Sequence, residues 1–142
     1  MAYNAWSVIA GEVPTAAKWK ILGSNDIQFN TDVTKLISDK IMRTANDGAT
    51  ITFDVSQSLL WTVTLGGAGR QLQVTGITAG KPFFIRLQQD GTGGRTVLWW
   101  TGIRFPGQSN PVLSVDPGRI DAFMFIPFAD NTFDCYFAGF GI

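Results

Sequence analysis

The sequence predicts a mainly β protein, an antiparallel β-sandwich or barrel-like domain with a short helical region ahead of it. Three observations carry that expectation. From Thr50 onward apolar residues recur with a period of two, whereas earlier in the chain their spacing is helical. Clusters of Gly, Asn, Asp and Pro separate the alternating runs, so that strands arrive every 10–13 residues or so, a spacing that argues for a sandwich or barrel. Residues 90–141 read as one run of β-hairpins built from aromatics and glycine, with Trp99, Trp100, Phe105, Phe123, Phe125, Phe133 and Phe137 among them.

In chain order, residues 1–13 form an arm bearing Trp6, Val8 and Ile9, which spans at most about 40–45 Å when extended. Pro14 and Thr15 open a helical stretch in which Thr15 is the N-cap. Ala16 to Leu22, Trp19 included, tolerate helix, and Gly23 ends or kinks it. A second stretch, residues 25–42, places Phe29, Val33, Leu36, Ile37 and Ile41 on a narrow helical stripe. Asn46-Asp47-Gly48 is a turn, so the chain divides into an N-terminal arm and helix, residues 1–47, and a β-domain, residues 48–142.

Within the β-domain, Ile51, Phe53 and Val55 alternate with Thr50, Thr52 and Asp54. Leu59, Trp61, Val63 and Leu65 alternate with Leu60, Thr62 and Thr64. Leu72 and Val74 follow the glycine-rich turn at residues 66–69. Phe83, Ile85 and Leu87 face one way, and Arg86 and Gln88 the other. Residues 96–100, 120–126 and 133–137 complete the set of strands. Residues 120–128 are apolar on both faces apart from Asp121, which marks a central strand or one pressed against a neighbouring subunit.

Composition narrows the function. Of the 142 residues, 15% are charged, against roughly 25% for an average soluble domain. The exterior is therefore either rich in uncharged polar residues or covered by copies of the same chain or a larger assembly. Net charge is zero and the charges are scattered, so the basic footprint of a nucleic-acid-binding protein is missing. No apolar run has the length of a membrane span and no signal peptide is visible, so no membrane insertion is expected. The single Cys135 sits in a Phe133-x-Cys135-x-Phe137 alternation and reads as a small buried hydrophobe.

Catalytic signatures are weak. Without histidine, the usual serine and cysteine triads and most zinc and iron sites are out, and no metal or cofactor is expected. Asp116, Asp121, Asp130 and Asp134 could supply the carboxylate pair of a glycosidase. However, Asp90-Gly91, Asp116-Pro117-Gly118 and Asp130-Asn131 have the composition of turns. Residues 66–69 and 91–94 resemble phosphate cradles only in their glycine, since neither matches a Walker loop or leads into a helix. Trp99 and Trp100 are neighbours in an expected strand, so one faces the core and the other a subunit or a sugar ligand. With Phe123 and Phe125 they form the expected subunit or ligand face.

Two segments resemble a known class of proteins. The first runs from Tyr3 through Gly11-Glu12-Val13-Pro14-Thr15-Ala16-Ala17-Lys18-Trp19-Lys20 to Phe29-Asn30. It is similar to the N-terminal segment of phage and prophage structural proteins, with Lys20 where that pattern often has Asn. The second runs from Gly80 onward, through Gln89-Asp90-Gly91-Thr92-Gly93-Gly94-Arg95-Thr96-Val97, Phe105-Pro106-Gly107 and Gly118-x-x-Asp121-x-Phe123. It resembles a β-module of phage fibre tips and virion surfaces, with Gln108 in place of a second Gly and Asp130-Asn131-Thr132-Phe133 as a looser final motif.

The resemblance implies a virion-surface protein made in the host cytoplasm. It implies a homotrimer whose first segment docks to tail or capsid proteins while the β-knob projects toward host surface glycan or protein. Trp6, Trp19, Leu22, Phe29, Val33, Leu36 and Ile37 are the expected attachment and trimer contacts. A short fibre or tail-tip component is the first expectation, a capsid decoration protein the second, and a carbohydrate depolymerase the third.

Overall fold

The structure is a computed structural model, and it describes residues 41–142. The expected helical stretches, and with them Trp6, Trp19, Leu22, Phe29, Val33, Leu36 and Ile37, lie outside the described residues.

The alternating runs form strands where their period places them. They are β1 (Met42–Thr44), β2 (Thr50–Asp54), β3 (Leu60–Leu65), β4 (Arg70–Thr75), β5 (Phe83–Gln89), β6 (Val97–Leu98), β7 (Ile103–Arg104), β8 (Ile120–Pro127) and β9 (Phe133–Gly139). The first strand lies ahead of the Asn46-Asp47-Gly48 turn, in the region whose spacing reads as helical.

The pairing differs from an antiparallel sandwich. Strands β1 to β7 alternate between two sheets and β8 and β9 join the larger, giving one sheet in the order β1-β3-β5-β8-β9-β7 and the other in the order β2-β4-β6. Within each sheet the first six strands run parallel: Met42 lies beside Leu60, Leu60 beside Phe84, Ile51 beside Leu72 and Arg70 beside Val97. The chain therefore winds as a short parallel coil. Only β8 against β5, and β9 against β8, are antiparallel, while β7 runs parallel to β9.

The reason lies in the connections. Parallel neighbours need a crossover of a dozen residues or more, and here the crossover is the strand in the opposite sheet with its two corners. The glycine-rich corner at residues 66–69 does not fold β4 back onto β3. It carries the chain across, with Gly69 at φ 68° donating its N–H to Thr96 Oγ1 at 2.9 Å. Arg70 closes the same corner through Asp47, with Nη2 to Oδ2 at 2.6 Å.

Between the sheets lies one core. Ile51, Phe53 and Leu72 come from the smaller sheet. Trp61, Val63, Leu65, Phe83, Ile85, Leu87, Phe123, Phe125, Phe133 and Cys135 come from the larger. Inward residues follow the predicted alternation, and Phe53 meets Trp61 edge to face with ring centroids 6.0 Å apart. Ser58, fully buried, accepts the Trp61 Nε1–H at its carbonyl (2.9 Å), so the indole enters the core with its polar edge satisfied. Burial pushes the Cys135 thiol up to about 12, in keeping with its reading as a core hydrophobe.

Candidate functional site

Each feature singled out in the sequence has a defined place. Asp121 is inward on β8 and 1% exposed. Its carboxylate accepts the Ser114 N–H (2.7 Å), the Ser114 hydroxyl (2.8 Å) and the Gly141 N–H (3.0 Å). Asp130 accepts the Thr132 N–H and hydroxyl, closing a turn in which Asn131 has φ 60°. Those same donors hold the Asp130 carboxyl below the usual range. Asp134 receives Arg104 Nε at 2.6 Å. The Asp116 carbonyl accepts the Arg119 N–H across a turn whose Gly118 has φ 75°. Asp121, Asp130 and Asp134 are thus engaged in local bonds that fix loops and strand ends. Among the described residues no His, Cys, Asp and Glu side chains gather in a group able to hold a metal ion. No described helix is long and apolar enough to cross a membrane.

The loop at residues 90–95 has the amides of an anion cradle, and a carboxylate of the same chain occupies them. Asp90 Oδ1 accepts the N–H groups of Thr92 (2.9 Å) and Gly93 (3.0 Å), while Arg95 grips the same carboxylate with Nε and Nη2 at 3.0 and 2.7 Å. Buried Gln89 completes the closure by exchanging two bonds with the Arg95 backbone. Gly93 is required here. Its φ is 73°, and a Cβ would sit 2.4 Å from the Val115 carbonyl oxygen.

The hydrogen bonds from Arg95 hold the Asp90 carboxyl down at about 2 against an ordinary 3.8, with the Thr92 and Gly93 amides acting in the same direction. A carboxyl lowered on folding stabilises the native state fully above its unfolded value of about 3.9. That contribution fades as pH falls toward 2. Thermal midpoints recorded from pH 5 to pH 2 are expected to drop across this window, and Asp90→Asn is expected to flatten part of the drop. An unchanged slope in Asp90→Asn contradicts the assignment.

Trp99 and Trp100 do not face opposite ways. Ladder pairing of β6 ends at Gln71↔Leu98, so the two residues lie beyond the strand and its two-residue alternation does not reach them. Both indoles turn onto the inner side of β8. Trp99 is 5.0 Å from Phe123 and 5.3 Å from Phe105, and Trp100 is 4.8 Å from Phe125 and 5.7 Å from Phe133. The two indoles also touch each other edge to face at 5.9 Å. Phe123 and Phe125 are 0% exposed, and Trp99 and Trp100 pack partly buried against the core, so these four aromatics face the interior rather than forming the expected subunit or ligand face.

The exposed apolar surface lies elsewhere. Register across the larger sheet sets Met42, Leu60, Phe84, Met124 and Tyr136 side by side in one row, one from each of β1, β3, β5, β8 and β9. All five sit at outward positions of their strands, with Met42 44%, Phe84 37% and Tyr136 47% exposed. Neighbouring strands are about 4.8 Å apart, so the row spans about 19 Å. One flank holds Thr44, Thr62, Arg86 and Ala122 in register, and Arg86 Nη1 reaches to 3.8 Å from Met42 Sδ. The opposite flank holds Ile126, Asp134 and Arg104, with the Arg104 guanidinium 4.8 Å above the Phe128 ring.

The sequence carried a trace of this row. Leu59-Leu60, Phe83-Phe84 and Phe123-Met124 are apolar doublets where a half-buried strand needs one apolar residue in two. Only the register shows that the second members line up.

No family model, curated protein or solved structure matches the chain.

Proposed function

We propose that this chain is a non-enzymatic structural protein of a bacteriophage virion surface. In this reading it is a short homotrimeric fibre or tail-tip component. It docks to the particle through residues 1–47 and presents the β-domain, with a host surface glycan or protein as its outward contact. The observation that carries the reading is the outward row Met42–Leu60–Phe84–Met124–Tyr136, an apolar strip on a sheet face where a monomer needs polar groups. The low charge of the sequence supports it, as do the engaged carboxylates of Asp121, Asp130 and Asp134, which are tied into loops and strand ends. The phage resemblance of residues 3–30 and of the segment from Gly80 onward supplies the virion setting.

Imaging of phage particles with an antibody to this chain tests the proposal. Label at the tail tip is the expected result. Label over the head moves the chain to capsid decoration, and particles without label overturn the virion reading.

A further inference from the structure

We draw no further inference here: the strongest candidate, the outward apolar row Met42–Leu60–Phe84–Met124–Tyr136 on the larger sheet, carries none, because nothing in the structure shows what covers it.

Discussion

Trp99→Ser and Trp100→Ser are both expected to lower the unfolding free energy, each by about 3 kcal/mol, the low end of the range for truncating a large core aromatic, because both indoles are partly buried against the core. Two neighbours on an exposed-edge strand would give one large effect and one small. Here both indoles pack on β8: Trp99 reaches Phe123, Phe125 and Phe105, and Trp100 reaches Phe83, Phe125 and Phe133. Either truncation opens a void beside fully buried Phe125, and the other indole is too constrained by its own contacts to fill it. The pair should also be non-additive, because the two rings touch and share Phe125.

Trp100→Phe adds a finer test. Trp100 Nε1 is buried without an acceptor among the described residues, so its removal forfeits no hydrogen bond there, and the variant should retain more stability than Trp100→Ser. Urea titrations followed by circular dichroism measure all three. A Trp99→Ser or Trp100→Ser variant within about 1 kcal/mol of wild type, below the range for a buried aromatic, counts against this packing.

Strand positions were legible in the sequence because they depend on period alone. The alternation of Ile51-Phe53, Trp61-Val63-Leu65 and Phe83-Ile85-Leu87 places each inward residue where the structure has it. The direction of pairing was not legible. A half-buried strand shows the same alternation whether its neighbour runs parallel or antiparallel, and a glycine-rich corner can fold a hairpin or lead to the opposite sheet. Here β4 pairs with β2 and β6 rather than with β3. Turn chemistry is legible at Asp90-Gly91 and Asp130-Asn131, where the carboxylates accept from amides two and three residues on. The inward turn of both Trp99 and Trp100 is hidden from the sequence for the same reason as the pairing direction. Alternation holds only as far as Leu98, and no local feature of Val97-Leu98-Trp99-Trp100 announces that the ladder stops there. The outward row is a property of register, which sequence period cannot supply.

Asp121→Ala is expected to cost about 3 kcal/mol or more, from the loss of charge-assisted hydrogen bonds that leaves their donors without partners. Asp121 stands in the inward series of β8, ahead of Phe123 and Phe125, yet it carries a carboxylate. That carboxylate joins two segments distant in sequence: Ser114, through its N–H and hydroxyl, and Gly141, through its N–H. The last residues are held further by mutual backbone bonds between Ile120 and Ile142, both 3.1 Å, and by Arg119 Nη1 on the Gly141 carbonyl at 2.8 Å.

Asp121→Asn keeps the shape but not the function of the knot. Its amide offers a single acceptor oxygen and turns an NH₂ toward a group that already donates, so it should be destabilising too. Ser114→Ala removes only the hydroxyl bond and should cost about 1 kcal/mol, the worth of an ordinary hydrogen bond. Amide hydrogen exchange gives the local readout. In Asp121→Asn the Ser114, Gly141 and Ile142 amides should exchange faster, while those of β3 and β5 keep their protection up to the global limit. If Asp121→Asn matches wild type in both stability and exchange at Gly141, the carboxylate is not what fastens residues 141–142 to β8.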